Sequence, residues 1–404
     1  MTAPPEQKPS VILYVASRLP ELSETFVYRE LFGLRGRRRT VIGASIRKPR
    51  GTAFGAAMAS LADEATIVYG VLTAAALPIA VLSHPLKFAQ AFKDATDVDH
   101  SDAWGQLKHL FQAWMGIALG WRLRNRGITH VHAHMANVPA TVALYTARAL
   151  GANFSFTGHA ADLFVQRSGL RFKLKEADFV ASISRWHQQF YNEVANLEPH
   201  RTPLIRCSVA LPSAKRKRGT EVVTVARLVP KKGIDLLIQA FALAELPGWT
   251  LRILGDGPER FKLEQLAKQT GIQHLVTFEG ARPHDACLQA IATAGMFVLP
   301  CRTATDGNKD GIPVVLIEAM AASRPVICGD LPTIRELVSD GQTGLLVPPE
   351  EVAPLVFAMR RIASDSEFGD TLAANARAHV ELEFSDQLNL DRLCQAFDRT
   401  GQRA

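Results

Sequence analysis

Three stretches in the second half of this 404-residue chain carry side chains suited to a diphosphate and a sugar. In Val225–Asp235 (VARLVPKKGID), Arg227 and Lys232 fall where a strand should end and a helix begin, the usual ligand position in an open parallel sheet. A guanidinium fork and an ammonium point charge suit a pyrophosphate there, although cations at strand ends are also common surface residues. In Leu254–Pro258 (LGDGP), Gly255 and Gly257 permit close backbone approach to a ligand, and a plain strand-to-helix turn explains them equally well. Asp310–Ala319 (DGIPVVLIEA) is the most informative. Gly311 opens the backbone, Pro313 suits the first turn of a helix, and the helix start at Gly311, Ile312, Pro313 and Val314 forms an anion site. Asp310 is placed to accept from sugar hydroxyls, and Glu318, about a turn and a half into the helix, suits a ribose diol. The bland alternative is an acid complementing the helix dipole plus a solvent-facing glutamate.

In the first half, His132, His134 and His159 invite a zinc reading. No acidic or cysteine partner stands beside them at ligand spacing, so no metal is expected. His134 and His159 each fall just after a predicted strand, where the strand-end rule faces them to a ligand cleft. His132 is expected to be buried. Asp162 is placed to orient His159 or accept a proton, and a helix N-terminal role suits it equally.

These residues sit on an alternation of short β-rich runs and longer helical patterns, the pattern of parallel α/β units. Strands are predicted at Val11–Ala16, Thr40–Ala44, His130–His134, Phe154–Thr157 and Phe179–Ser184, with helices over Glu24–Leu34 (capped by Ser23), Pro139–Leu150 and Trp186–Ala195. A second series runs through Val222–Ala226, Thr250–Leu254, Val276–Phe278, Met296–Leu299, Pro325–Ile327 and Gly344–Val347. Between the halves, Pro212–Gly219 (PSAKRKRG) has no core pattern and reads as an exposed hinge. Residues 54–126 form a helical insertion. Within it Ala65–Leu86 holds no Asp, Glu, Lys or Arg over 22 residues, but Gly70, Pro78 and several polar residues interrupt it. A buried helix pair or a surface-docking segment is therefore expected rather than a membrane span. Trp104–Arg126 reads as a further helix, its basic end suiting the macrodipole.

Composition narrows the class. With 47% hydrophobic and 21% charged residues the chain is globular, neither disordered nor a multi-span membrane protein. Five scattered cysteines without a C-x-x-C pair predict a reducing compartment. The polar start MTAPPEQKPS lacks a signal-peptide pattern and predicts a cytosolic chain. Of the net charge of +7, residues 1–206 hold 24 Lys+Arg against 15 Asp+Glu, so the basic excess belongs to the first half. Such a field favours an anionic lipid surface or phosphorylated substrate; nucleic acid is not expected, because no recognition motif accompanies the charge.

Residues 222–350 resemble the donor-binding domain of the retaining GT-B glycosyltransferases of family 4, through Arg227–Gly233 (RLxxxKG), Gly255–Pro258 (GDGP) and the acid-x7-acid pair Asp310 and Glu318. Ser17–Leu31 and Phe156–Phe164 are similar to the exopolysaccharide branch typified by colanic acid glycosyltransferases. The resemblance implies an α/β GT-B fold, with two Rossmann-like parallel-sheet domains facing across a cleft. The boundaries it suggests are an acceptor domain over 1–206, a linker over 207–219, a nucleotide-sugar domain over 220–383, and a helix over 384–404 packing back on the first domain.

The resemblance also assigns roles. Arg227 and Lys232 would hold the diphosphate and neutralise the leaving group, with Gly255, Gly257 and Gly311–Val314 against the donor. Glu318 would take the ribose and Asp310 the sugar hydroxyls. Beside these, His134 and His159, facing the cleft by their strand-end position, are expected to hydrogen-bond the donor sugar or the acceptor hydroxyl and to complete the catalytic set. The family carries Glu where Asp310 stands, one methylene shorter here. The loop after the first strand lacks the glycines of many relatives, so the side chains of Ser23, Glu24 and Thr25, with Asp162, are expected at the acceptor. No cofactor or metal is implied, and a UDP-sugar is favoured over a GDP-sugar. The expected acceptor is a lipid-linked saccharide or glycolipid, reached at the inner membrane face. The competing readings are a two-domain binding protein, an inactive or regulatory relative, and a sugar-nucleotide epimerase on the same architecture.

Overall fold

The computed structural model describes residues 10–21, 24–49, 56–98, 103–164, 167–213 and 217–401. The chain divides into two compact units, residues 1–205 with 390–404, and residues 206–389.

In the first unit the strands are β1 (Val11–Ala16), β2 (Thr40–Ser45), β3 (Thr66–Ile67), β4 (Ile128–His134), β5 (Asn153–Thr157) and β6 (Phe179–Ala181). They form one parallel sheet in the order β3-β2-β1-β4-β5-β6. The helices are α1 (Thr25–Gly36), α2 (Ala56–Glu64), α3 (Val71–Ser83), α4 (Pro85–Asp97), α5 (Ala103–Leu123), α6 (Val138–Leu150), α7 (Ala161–Phe164), α8 (Leu170–Glu176) and α9 (Arg185–Ala195). A strand buried on both faces reads as a continuous apolar run, and β1 (VILYVA) shows why. Leu13 and Val15 join the core shared with α5 and α6, while Ile12, Tyr14 and Ala16 join the core shared with α1 and the chain's last helix. The same alternation along β4 sends Val131 and Ala133 to the first core and His130, His132 and His134 together to the other face.

The helical insertion contains one strand that the sequence reading missed. β3 is two residues long, too short to show a period, and extends the sheet past β2. α5 packs closely on α6, because a Cβ on Gly116 would lie 2.5 Å from the Val142 carbonyl oxygen and one on Gly120 would lie 2.5 Å from Ala149 Cβ. A buried polar cluster ties α4 to α6. Tyr145 donates to Asp94 (2.8 Å), Arg148 pairs with the same carboxylate (2.5 Å), and His109 of α5 lies 3.0 Å from the Tyr145 hydroxyl.

The second unit repeats the plan with β7 (Glu221–Val225), β8 (Thr250–Leu254), β9 (Val276–Gly280), β10 (Met296–Leu299), β11 (Val326–Gly329) and β12 (Leu345–Val347). Their order is β12-β11-β10-β7-β8-β9, again all parallel. The helices are α10 (Ile234–Ala244), α11 (Arg260–Gln269), α12 (His284–Thr293), α13 (Val314–Ala321), α14 (Val352–Ser364) and α15 (Ser366–Glu383), and α16 (Asp386–Gly401) starts here and passes into the first unit at Leu390.

Two boundaries differ from expectation. The second unit begins at Arg206 and runs to Asn389, wider than 220–383, and part of the expected linker belongs to its core. Val209 is buried there, its N–H donating to the Phe384 carbonyl and its carbonyl accepting from Asp386 N–H. Residues 214–216 of the basic stretch lie outside the described residues, as does the proposed cap Ser23. The first unit recruits the later turns of α16, whose Leu390, Leu393, Ala396 and Phe397 are buried with Tyr14 and Phe179. The strand expected over Phe179–Ser184 stops at Ala181, since Ser182 bridges to Leu204 instead.

Filling the α5–α6 contact should overpack it. Gly116→Val is expected to cost about 1–3 kcal/mol, seen as a lowered urea midpoint, whereas Gly127→Ala, at a turn with open space, tests only the backbone strain of its φ of +65°.

Candidate functional site

In both sheets the chain order reverses once, between β1 and β4 in the first unit and between β7 and β10 in the second. Crossover helices leave for opposite faces at such a point and uncover the carboxyl ends of the strands, where ligands of open α/β sheets bind. Several residues singled out from the sequence, His134, Arg227, Lys232 and Asp310 among them, end or follow the strands of these two edges.

In the second unit a short 3₁₀ turn, Pro230–Lys232, follows β7, and Gly233 then opens α10 with φ +65°. A Cβ on Gly233 would lie 2.1 Å from the Pro300 carbonyl oxygen, so only glycine lets this turn touch the loop that follows β10. That approach delivers two ammonium groups to one buried carboxylate. Lys232 Nζ lies 2.8 Å from Asp310 Oδ2 and Lys231 Nζ 3.0 Å from Oδ1. The Cys301 thiol donates to Oδ2 (3.2 Å), and Thr333 Oγ1 donates to the Asp310 carbonyl (2.9 Å). Burial alone would raise the Asp310 carboxyl, but Lys232 and then Lys231 outweigh it and hold it down at about 2. Burial works against the Lys232 ammonium too, and Asp310 more than compensates, so it stays a cation. Burial, with Asp310 beside it, keeps the Cys301 thiol protonated.

Arg227 is exposed, next in sequence to the β7 edge, and its charge is felt by Lys232. Gly311, Ile312 and Pro313 are buried, and α13 begins at Val314, so Pro313 is the residue before the helix rather than part of its first turn. Glu318 is buried rather than solvent-facing: its Oε1 lies 2.8 Å from Nε2 of His284, the first residue of α12. Gly255 and Gly257 have a reason internal to the fold. A Cβ at Gly255 (φ +132°) would lie 1.8 Å from the Ala226 carbonyl oxygen, and one at Gly257 would lie 2.3 Å from that of Leu228. Both are therefore demanded by the neighbouring loop, whether or not a ligand approaches. Lys231 and His284 were not foreseen; the doubled lysine of PKKG was the one signal in the sequence for the first, and His284 had none.

In the first unit the β4 edge carries a hydrogen-bonded histidine network. His132 Nδ1 lies 2.7 Å from Ser155 Oγ and its Nε2 3.1 Å from Thr157 Oγ1, fixing it in the core as expected. His134 Nδ1 lies 3.2 Å from His159 Nε2, and its Nε2 is 3.1 Å from Glu30 Oε1. The Tyr14 hydroxyl donates to the same Glu30 oxygen (2.5 Å), and burial, reinforced by Glu30, raises that phenol far above its ordinary value. With Tyr14 donating to it, the Glu30 oxygen accepts from His134 Nε2–H, and His134 Nδ1 then accepts from His159. Burial drives His130 to about 3, and burial with neighbouring histidines drives His132 and His159 well down, so these rings are neutral. Phe26 packs 4.3 Å from the His159 ring, and His187 Nε2 donates to the His159 carbonyl (3.2 Å).

This arrangement alters three expectations. His134 and His159 are buried and spend nitrogens on each other. An acidic neighbour does stand beside the histidine pair. Glu30, His132 and His134 bring donor atoms within 4.8 Å of one another, although Tyr14, Ser155, Thr157 and His159 already occupy them. Asp162 turns its carboxylate to the backbone, accepting from N–H of Ala136 (2.7 Å), Ala160 (2.8 Å) and His159 (3.2 Å), so it clamps the two loops rather than facing an acceptor. Of the residues expected at the acceptor, Ser23 lies outside the described residues and Thr25 opens α1. Glu24 is different. Its carboxyl is pushed up to about 7 by burial, then by Glu21 and Asp162, against the pull of Arg18, and its Oε2 has no partner among the described residues.

Residues 212–379 match the family described as glycosyl transferases group 1, so the second unit carries a glycosyltransferase group 1 domain. The two parallel six-stranded sheets are those of the GT-B fold. The structure of Alr3699/HepE of Anabaena in complex with UDP matches 96% of this chain and 100% of its own, with a TM-score of 0.69 at 17% identity. Among curated proteins, an exopolysaccharide phosphotransferase of Streptomyces coelicolor is 39% identical over 163 residues, 39% of this chain and 17% of that one. WcaL of Salmonella typhimurium, described as a colanic acid biosynthesis glycosyltransferase, is 34% identical over 170 residues, 41% of this chain and 42% of its own. The chain thus spans less than half the length of either curated relative it matches.

Two pH responses of opposite sign follow. The Asp310 carboxyl, at about 2 folded against an ordinary 3.8, adds stability that is present above pH 3.8 and lost as pH falls through 2. Asp310→Asn should lower stability at pH 7 by on the order of 2 kcal/mol, a gap that narrows between pH 4 and pH 2 in urea titrations. Glu24, raised to about 7 from 4.5, favours the folded chain while protonated, so its contribution is full below pH 4.5 and lost as pH rises through 7. Glu24→Gln should therefore flatten the decline in melting temperature between pH 4.5 and pH 7.

Proposed function

We propose that the chain is a retaining glycosyltransferase that moves a hexosyl group from a nucleoside diphosphate sugar, UDP-linked in preference to GDP-linked, to a hydroxyl of a lipid-linked saccharide or glycolipid. Exopolysaccharide or envelope glycan synthesis at the cytoplasmic membrane face is the setting this reading implies. The observation that carries it is the Lys231–Asp310–Lys232 cluster beside exposed Arg227, at the uncovered edge between β7 and β10. The group 1 domain over residues 212–379, the UDP held by the Anabaena neighbour, and the colanic acid relative support it.

In this reading Arg227 and Lys232 neutralise the diphosphate as the bond from the sugar's anomeric carbon to the phosphate oxygen breaks. Asp310, kept ionised by its two lysines, accepts from hydroxyls of the transferred sugar. The methylene lost on replacing Glu by Asp is thereby offset by cations that reach it. Glu318, steadied by His284, accepts from the ribose hydroxyls. The acceptor oxygen bonds to the same face of the anomeric carbon, and its proton passes to the departing phosphate oxygen. Fixed cations supply the charge stabilisation, so neither metal nor cofactor is called upon. Glu24 is the group suited to hold the acceptor hydroxyl, and the Glu30–His134–His159 network keeps the adjoining loops in place.

Calorimetric titration with UDP, GDP and ADP in EDTA tests the reading; tight binding of UDP is expected, and binding of none of the three overturns it. Lys232 is an unclean probe because its loss uncovers a buried carboxylate, whereas Arg227 is exposed. Arg227→Ala should keep the melting temperature and lower turnover about 10²-fold, with UDP affinity falling in parallel.

A further inference from the structure

Exposed large apolar side chains in this molecule concentrate on one module of the first unit. On α3 the inward residues Thr73, Ala76 and Ala80 are buried, and Arg122 of α5 donates to Thr73 Oγ1 (3.1 Å). The opposite stripe, Val71, Leu72, Ile79 and Leu82, faces outward, with Val71 84% and Leu82 82% exposed. Leu86 (83%) and Phe92 continue it on α4, and Trp104, Leu107, Phe111 and Trp114 form a stripe at helical spacing on α5. Phe111 lies 5.2 Å from Tyr69, just before α3, and Trp114 lies 6.0 Å from Phe88 of α4, so the three stripes join into one surface. Monomeric proteins rarely leave so much contiguous apolar surface in water.

We propose that this face of α3, α4 and α5 docks on the interfacial region of an anionic lipid bilayer. The charges around it argue for that occupant. Lys93, Lys108, Arg124 and Arg126 are exposed on the same helices and the turn after them, and Lys108 and Arg124 lie over the rings of Trp104 and Trp121. Asp94, the one acid of these helices whose side chain is described, is buried against Arg148. Cations and tryptophans beside an apolar stripe suit lipid headgroups and the acyl boundary beneath them. A second copy of the chain would instead bring these cations against their own kind across a two-fold axis.

Geometry argues for lying on the membrane rather than crossing it. Among the described residues no single helix is long and apolar enough to cross, and α3 meets α4 at a bend of 103°. Each is 13 residues, about 20 Å long at 1.5 Å per residue, short of the roughly 30 Å hydrocarbon core. The proposal rests on the lipid-linked acceptor suggested above for its purpose, and on this surface alone for its existence.

The test uses the full chain and vesicles of phosphatidylcholine with or without phosphatidylglycerol. Flotation with the anionic vesicles is expected, weakened by salt, with a blue shift of tryptophan fluorescence from Trp104 and Trp114. The triple change Leu72→Gln, Leu82→Gln, Leu86→Gln alters exposed side chains only, so its melting temperature should hold while vesicle binding falls at least about tenfold. Equal flotation of the triple variant and wild type would overturn the proposal. So would absence of flotation together with a dimer, in sedimentation, that the triple variant abolishes. UDP titration of the same samples separates the two readings: binding retained by a chain that does not float leaves the transferase reading intact, and its loss from a chain that floats leaves the docking surface intact.

Discussion

A parallel sheet must be covered on both faces, and where its crossovers part to opposite sides the carboxyl ends of two neighbouring strands are left bare. In this chain that happens at β1/β4 and again at β7/β10, and the rest of the molecule is organised around those two edges. The cations that follow β7, the aspartate that follows β10 and the histidines that end β4 are all there for this reason. Their neighbours are dictated by the same close approach: Gly233 against Pro300, Gly255 against Ala226, Gly257 against Leu228. Side chains are absent at those points so that backbone can meet backbone, and the functional groups are carried to one place as a result.

The two edges use buried charge differently. In the second unit a carboxylate is matched by two lysines, which holds Asp310 ionised and Lys232 a cation. In the first unit the polar groups are satisfied by sharing protons. A phenol and an imidazole meet one carboxylate oxygen, an imidazole meets an imidazole, and hydroxyls of Ser155 and Thr157 close the chain. With His130, His132 and His159 held neutral by burial, this edge avoids the desolvation penalty of buried imidazolium ions and loses adaptability in exchange.

Much of this was legible in the sequence, because short-range pattern governs it. Continuous apolar runs marked the buried strands, and the strand–turn–helix spacing put Arg227 and Lys232 after β7 and Asp310 and Glu318 after β10. What escaped notice were partners set by long-range contact. Glu30 lies in mid-helix, 104 residues before His134, and nothing local separates it from a solvated glutamate. His284 stands 34 residues before the Glu318 it meets. The two-residue β3 has too few positions for a period, and Val209 sits in a stretch whose composition looked like linker. Asp162 stayed open for another reason: an acid after a strand suits a ligand and a backbone clamp alike, and only the amide positions decide.

The first unit is discontinuous along the chain, its core finished by Leu390, Leu393, Ala396 and Phe397, which follow the whole of the second unit. Domains ordinarily fold in the order in which the ribosome delivers them. Here the order is inverted for the final step. The unit that is started first leaves the side of its sheet bearing Ile12, Tyr14 and Phe179 only partly covered, by α1, until α16 has been synthesised, while the second unit already has all its residues. During that interval the nascent chain presents an apolar surface that α1 covers only in part, and molecular chaperones have a window in which to act.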